Sequence, residues 1–532
     1  MNRFHAAILK SSDCLTLAVG RMQNKGNVSR FFMVRGLFSP FTVAISSAFL
    51  TTLAFPPFEF YFLAWVCLIP LILSIRRRSL KEAFVLGVIF GVLFFPSFLY
   101  WILNYSCWAF IGSVLVGVFS TATGFFGWSL LEKVAFKQIR LFVPALLWVV
   151  IEWGVQQELI ALPLSFGITQ APLPIVTQVA SVAGTYGISF LLVLSNSILA
   201  SIIDLILIDK NYVNLKYIDQ GRKIVIFWPL GFALLMMVGL VVGIGQPQKF
   251  ESTDVEERTV AILQGNVQKS VLDTVGTDFV SNAINTQAYF GLMKEAADSR
   301  PNIVVWPETA VRRYVFNDHE LFQQIKDEAA RGNSVEIVGT PHREGAREYN
   351  SAFVVDSDGK IVGRYDKRAL APSEEFFVPG KDAKVFPTKH GKIGILICYE
   401  STLPYYSREL VNNGADYLFF LANDAGFGQS LEPYLHLNMA ILRAVENHVF
   451  VVRAANTGIS AVIDPNGRIV SKGTLNKKLV VHGKIHANYE PSIYSRFGDW
   501  FPPGCFILLC IACIPIMKTR LTIQGFFENP LL

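Results

Sequence analysis

Over the first half of the chain the hydrophobic positions run on without the polar interruptions of an amphipathic helix or a half-buried strand. Apolar runs fall at about 37–54, 57–75, 83–103, 108–131, 141–155, 173–207 and 224–245, and an eighth at about 500–517 follows a long polar stretch. Crossing hydrocarbon takes roughly 20 apolar residues, so these runs predict transmembrane helices. The fifth is short, and the sixth is long enough to start with a re-entrant or interfacial segment near Pro172 and Pro174. Buried helices of a large soluble protein are a poorer account of so many runs in these positions.

From Arg258 onward the pattern shortens. Strands are predicted at 260–263, 303–306, 335–339, 351–355, 360–365, 392–398, 417–421, 449–453 and 459–463, and helices at about 277–298, 318–331, 404–413 and 433–447. Asp358-Gly359 marks a hairpin turn. Alternation of this kind argues an α/β domain whose sheets are covered by helices, and about 250 residues are ample for its own core. The expected organisation is a leader (1–36), a membrane domain of seven helices (37–245), a polar domain (246–495), and a last membrane helix with a tail (496–532).

Composition agrees: 52% of residues are hydrophobic, 17% are charged, and the mean hydropathy is +0.41. The placement of positive charge adds an orientation. Arg76, Arg77, Arg78 and Lys81 follow the second run, Lys133, Lys137 and Arg140 the fourth, Lys210, Lys216, Arg222 and Lys223 the sixth, and Lys518 and Arg520 the eighth. The loops after the first, third and fifth runs carry no Lys or Arg. This alternation predicts cytoplasmic termini and puts the polar domain outside. The net charge of +6 thus reflects topology rather than a nucleic-acid partner. Residues 1–36 have scattered basic residues and no apolar core, a poor signal peptide; Met33 is an alternative start.

Cys398 ends the apolar run Gly394-Ile395-Leu396-Ile397 and is the sole cysteine of the polar domain, so it has no disulfide partner there. A lone thiol at a strand end is either a small core residue or a nucleophile. Taken alone, the core reading is the better one. Glu308 and Lys367 shift the balance, because each also falls just past an apolar strand, where α/β folds assemble sites. A carboxylate can take the thiol proton, and an ammonium favours thiolate and can stabilise an oxyanion. Lys367 alone would be an ordinary solvated hairpin residue; Glu308, after Trp306-Pro307, is harder to dismiss. No phosphate-binding loop, serine-nucleophile elbow or zinc-protease motif occurs, and the dispersed histidines support neither a metal nor a cofactor. His436 is expected to be a packing or surface residue. Asn423-Asp424 is expected to cap a helix, with a contact to the site as the sharper alternative.

With these residues in view, the chain resembles the apolipoprotein N-acyltransferases, the integral membrane branch of the nitrilase superfamily. The resemblance covers nearly everything from about residue 37. In the membrane part it rests on Ala54-Phe55-Pro56-Pro57-Phe58 with Leu63-Ala64-Trp65, on Tyr100-Trp101-Ile102, and on Gly184-Thr185-Tyr186-Gly187-Ile188-Ser189-Phe190. In the polar domain it rests on Leu263-Gln264-Gly265-Asn266, Trp306-Pro307-Glu308-Thr309, Tyr365-Asp366-Lys367, Ile397-Cys398-Tyr399-Glu400, Asn423-Asp424-Ala425 and Ala461-Val462-Ile463-Asp464-Pro465.

The resemblance implies a nitrilase-like α-β-β-α sandwich on about eight transmembrane helices and a Glu308–Lys367–Cys398 triad. It implies a supporting glutamate at Glu375, with the neighbouring Glu374 as the alternative, and Tyr399 and Glu400 beside the oxyanion. It also implies a phospholipid acyl donor, a diacylglyceryl-modified apolipoprotein acceptor, and residence in the bacterial inner membrane with the catalytic domain periplasmic. A monomer is expected. Two departures fall in loops that would cover the site: Ser373-Glu374 stands where Phe-Gly is expected, and Gly426 where an aromatic residue is expected. Phe427, Phe376 and Phe377 are the candidate replacements. Glu152, a rare intramembrane acid, is the candidate for holding a headgroup or amine. The rival readings are a membrane-tethered amidase and, outside enzymes, a transporter or scaffold, which the scarcity of intramembrane charge disfavours.

Overall fold

The computed structural model describes residues 39–76, 78–135, 139–157, 165–208, 256–269, 279–311, 314–315, 318–371, 374–487 and 490–514. The first helix, α1 (Pro40–Ala54), starts where Ser39 accepts a hydrogen bond from Thr42 and Pro40 fixes the first turn, and it stops at Phe55 before Pro56. The second apolar run is not one helix. It is a 3₁₀ turn, Tyr61–Trp65, followed by the short α2 (Ile69–Ile75). Asn196 satisfies the backbone between them, its Oδ1 accepting from Leu68 N (2.8 Å) and its Nδ2 donating to the Ala64 carbonyl (2.9 Å). A polar side chain from a distant helix thus supports a break that hydropathy alone does not show.

Next come α3 (Leu80–Leu99), opened by a Ser79–Glu82 capping box, and α4 (Cys107–Val134), capped by Ser106. They pack closely because Gly87 and Gly91 have no side chain. A Cβ on Gly87 would lie 2.5 Å from the Thr121 carbonyl oxygen, and the Thr121 hydroxyl donates to the Gly87 carbonyl (3.0 Å). After α5 (Val143–Val155), two short turns (Phe166–Gln170 and Pro174–Thr177) lead into α6 (Ala180–Ile208). This is the expected irregular start of the sixth run. Among the described residues three helices are long and apolar enough to cross a membrane, and shorter apolar helices accompany them. The seventh run lies outside the described residues, so the number of crossings is not fixed at eight.

The polar domain has two six-stranded sheets. One has the order β12-β1-β2-β3-β4-β5, the other β11-β10-β9-β8-β7-β6. Chain order gives β1 (Arg258–Gln264), α7 (Phe279–Ala297), β2 (Ile303–Val305), α8 (His319–Gly332), β3 (Val335–Glu344), β4 (Arg347–Val355), β5 (Ile361–Asp366), β6 (Val385–Thr388), β7 (Gly391–Ile397), α9 (Pro404–Asn412), β8 (Tyr417–Ala422), α10 (Glu432–Asn447), β9 (Phe450–Ala455), β10 (Ala461–Ile463), β11 (Ile469–Lys472) and β12 (Leu479–Ile485). Each sheet has three parallel strands at its centre, β1-β2-β3 and β7-β8-β9, flanked by antiparallel ones. Buried on both faces, β2 and β8 are apolar throughout, and the other central strands admit a few polar residues such as Glu336 on β3 and Arg453 on β9. Helices α7 and α8 pack on the first sheet and α9 and α10 on the second, while β1 meets β9 and β10 meets β12 between them. The architecture is the expected α-β-β-α sandwich.

Two last helices, α11 (Ile493–Phe497) and the apolar α12 (Phe501–Ala512), return the chain to the membrane part. The two parts meet through buried polar contacts at a break in α6. Gly184 has φ +66, and a Cβ there would lie 2.7 Å from the Tyr494 ring. The break exposes Thr185, whose N–H and hydroxyl both donate to Glu446 on α10 (3.0 and 2.7 Å), and Arg443 completes the group at 2.9 Å from Glu446.

Candidate active site

Three strand ends converge on one buried cation. Lys367, one residue beyond β5, is 1% exposed. Its Nζ donates to Glu308 Oε1 (2.9 Å), beyond β2, and lies 2.7 Å from Glu374 Oε2. Asn350 on β4 donates to Glu308 Oε1 (2.8 Å) and to Glu374 Oε1 (3.1 Å), and the Asn423 N–H, beyond β8, donates to Glu308 Oε2 (3.0 Å). Burial opposes the ammonium, but Glu308 and then Glu374 outweigh it and hold Lys367 protonated.

Glu308 is positioned by the residue two before it. Trp306 is buried against Tyr289 and Phe290 and its Nε1 donates to Glu336 (2.8 Å). Cys398 follows β7 with φ +51, in the left-handed region, so that the chain turns sharply into a 3₁₀ segment. Such a turn lifts the side chain off the sheet, and it persists only where surrounding contacts fix it. Glu400 supplies part of that fixing. Its Oε2 accepts from Ile397 N (2.8 Å), and its Oε1 accepts from the Tyr365 hydroxyl (2.8 Å) and from Arg368 N (2.6 Å). It therefore ties the Cys398 turn to the segment that carries Lys367. Burial, then Glu308, push the Cys398 thiol well above its ordinary range, Asp424 and Glu374 adding to this and Lys367 opposing it. The resting thiol is protonated and needs a base.

The supporting glutamate is Glu374, not Glu375. The Glu374 carboxylate turns inward because its Oε2 also accepts from Ala371 N (2.8 Å) across a tight turn, whereas Glu375 points to solvent. Phe376, 63% exposed, and the half-buried Phe377 stack on each other next to it, with ring centroids 4.2 Å apart. Tyr399 is half-buried beside Cys398, its phenol pushed up to about 12 by burial and by Tyr406.

Asn423 both caps and contacts the site: its Oδ1 accepts from Ala425 N (3.3 Å) while its own N–H holds Glu308. Asp424 is no cap. It is buried, with Oδ2 on Arg453 Nη2 (2.8 Å) and Oδ1 facing His436 Nδ1 (3.4 Å). His436 is buried, a packing rather than a surface residue, and its Nε2 lies 3.2 Å from the Cys398 carbonyl oxygen.

Gly426 does not leave an open space. A Cβ there would lie 2.5 Å from the Tyr105 hydroxyl, which comes from the α3–α4 loop. Tyr105 and Trp101 pack on Phe427, centroids 4.8 and 5.3 Å apart. The aromatic cover expected from the 426 side chain is thus built by Phe427 and two membrane-domain residues. Nothing in the spacing of Tyr105 from the polar domain could have signalled this. Glu152 lines an apolar cavity among α1–α6 with Phe55, Phe90 and Trp148. Its carboxylate accepts from Ser165 Oγ (2.6 Å), Ser189 Oγ (2.8 Å), Phe166 N (3.1 Å) and Trp148 Nε1 (3.1 Å). Four protein donors make it a staple between helices rather than a headgroup clamp.

Two outcomes are expected from these placements. Glu374→Ala removes one of the two carboxylates from a buried ammonium, where a broken pair costs about 3–5 kcal/mol, so the thermal midpoint in detergent should fall and activity should drop at least tenfold. Glu375→Ala should shift stability by less than about 0.5 kcal/mol. Gly426→Trp should lose activity through collision with Tyr105, and adding Tyr105→Gly should restore most of it in the same assay.

Comparison with known families agrees with this geometry. The apolipoprotein N-acyltransferase N-terminal domain family matches residues 47–198, and the carbon–nitrogen hydrolase family matches residues 259–491. An apolipoprotein N-acyltransferase of Geobacter metallireducens is 32% identical over 506 residues, covering 87% of this chain and 93% of its own length. Namesakes from Treponema denticola and Rhodopseudomonas palustris are 26% and 28% identical, covering 88% and 90% of this chain. With both halves matched and the similarity running nearly end to end, this chain belongs to the apolipoprotein N-acyltransferase family, on a nitrilase-superfamily catalytic fold.

Proposed function

We propose that this chain moves an acyl chain from a membrane phospholipid to the α-amino group of the diacylglyceryl-cysteine of an apolipoprotein, through a thioester on Cys398. The observation that carries the reading is the Glu308–Lys367–Glu374 cluster beside a protonated thiol on a left-handed turn. Glu308 takes the thiol proton as sulfur attacks the ester carbonyl. The Lys367 ammonium and the Tyr399 N–H stabilise the tetrahedral oxyanion. The glyceryl oxygen leaves with the proton returned from Glu308, giving lysophospholipid and a Cys398 thioester. The acceptor amine then attacks the thioester, Glu308 takes the ammonium proton and passes it to the departing thiolate, and an amide forms.

The aromatic cover fits a lipid donor. Trp101 and Tyr105 of the membrane part pack on Phe427, forming an apolar cluster suited to contact an acyl chain, and Phe376 offers exposed apolar surface on another loop. An aromatic side chain buried against an acyl chain contributes roughly 1.5–3 kcal/mol. The alternation of basic and neutral loops supports a periplasmic catalytic domain on a protein of the inner membrane.

Intact-mass measurement of purified protein incubated with phospholipid tests the scheme. A long-chain acyl adduct on Cys398, absent from Cys398→Ser, is expected. Acylation of a lipopeptide by Cys398→Ser would sink the scheme, and turnover of small amides without a lipid adduct would favour the amidase reading that the carbon–nitrogen hydrolase match keeps in view.

A further inference from the structure

His436 sits on α10, behind the turn that carries Cys398, and is 2% exposed. Its Nε2 lies 3.2 Å from the Cys398 carbonyl oxygen and 3.0 Å from Ser401 Oγ, and the Ser401 hydroxyl donates to the same carbonyl at 2.7 Å. A carbonyl oxygen only accepts, so a hydrogen bond from the ring to it requires the proton on Nε2. On the other side of the ring, Nδ1 faces Glu432 Oε1 at 3.3 Å and Asp424 Oδ1 at 3.4 Å. A bare Nδ1 lone pair against two carboxylates is repulsive; a second proton makes both contacts attractive.

Charge counting agrees. Asp424 and Glu432 bring two negative charges and Arg453, on Asp424 Oδ2, brings one positive. An imidazolium closes this buried group to neutrality. A divalent cation held by the same three residues, with neutral His436, would leave one buried positive charge uncompensated, which low-dielectric surroundings disfavour. The groups that face the ring are thus Glu432 from its own helix, Asp424 and Arg453 from the second sheet and its loop, and Ser401 and Cys398 from the turn.

We propose that His436 is a positioning residue for the nucleophile: its Nε2–H pins the Cys398 carbonyl and so holds the left-handed turn from which the thiol is presented. A non-glycine residue at φ +51 is held against backbone strain, so it persists only where contacts fix it. Glu400 fixes the turn from the Ile397 N–H, and His436 with Ser401 fixes it from the Cys398 carbonyl. Burial and Arg453 lower the proton affinity of His436, but Glu432 and Asp424 overcome them and push it up to about 9. A folded value above the ordinary 6.5 means that the contact stabilises fully below that pH and is lost as pH rises through about 9.

The proposal rests on Cys398 being the nucleophile, and it is tested by a readout that needs no lipid. Glu432→Gln/His436→Gln and Glu432→Gln/His436→Leu have the same buried net charge, and they differ in whether residue 436 can donate to the Cys398 carbonyl. Alkylation of Cys398 by iodoacetamide, followed by mass spectrometry on full-length protein in detergent, should be at least tenfold slower in the leucine variant at a similar thermal midpoint. The glutamine variant should recover most of the rate, and formation of the acyl adduct should follow the same order. Equal alkylation rates in two folded variants would overturn the proposal. If the leucine variant does not fold, ¹⁵N NMR of histidine-labelled wild-type protein at pH 7.5 decides. Protonation of both His436 ring nitrogens supports the proposal and a bare Nε2 overturns it. An alkylation effect with no acyl adduct in any variant would leave the positioning role standing and remove the acyl-transfer reading instead.

Discussion

Most of this catalytic domain is organised around one buried ammonium. Lys367 is held between Glu308 and Glu374, Asn350 shares Glu308 Oε1 with it, and the Asn423 N–H takes Glu308 Oε2. These residues come from the ends or edges of β2, β4, β5 and β8, so a single charge cluster registers strands of both sheets against each other. Removing Lys367 leaves two buried carboxylates without their cation, and removing either carboxylate leaves the ammonium under-compensated, which is why such clusters are strongly coupled. The chemistry follows from the same constraint. With its charge already compensated, Lys367 does not by itself pull the thiol down to thiolate, which is why the proposed mechanism gives the proton to Glu308.

The second constraint is the way the domain is set on the membrane helices. Helix α10 carries His436 near one end, against the Cys398 turn, and Arg443 and Glu446 nearer the other, against the broken backbone of α6 at Gly184–Thr185. One helix therefore connects the Cys398 turn to the membrane scaffold. The Gln178 side chain donating to the Asn466 carbonyl (2.9 Å) and Trp500 Nε1 donating to the Val182 carbonyl (2.8 Å) add further fixed points. Held in this way, the α3–α4 loop can place Tyr105 over Gly426 and Trp101 beside Phe427.

The sequence showed what repeats or ends abruptly. The central strands were legible because burial on both faces makes them largely apolar runs, and Glu308 and Cys398 because each follows such a run, whereas Lys367 follows β5, the end strand of its sheet, whose signal was the Asp358-Gly359 turn. β6, β11 and β12 were not legible: they are short or flanking strands with exposed polar positions, such as Lys472 and His482. The second apolar run concealed a break that depends on Asn196, more than a hundred residues away. Choosing between Glu374 and Glu375 depended on a turn hydrogen bond to Ala371, which no periodicity encodes. His436 and Tyr105 escaped for the same reason, since their importance lies in what faces them across the fold.

The central claim is that the site makes a thioester and gives it to an amine rather than to water. Its most direct test is a chase of preformed acyl-enzyme. Protein loaded with a labelled acyl chain from phospholipid is freed of donor and then split between buffer and a diacylglyceryl lipopeptide with a free α-amine. The account predicts that the label persists on Cys398 in buffer and passes rapidly to the lipopeptide as an alkali-stable amide. Release of the label as free fatty acid at the same rate with and without the lipopeptide would contradict it.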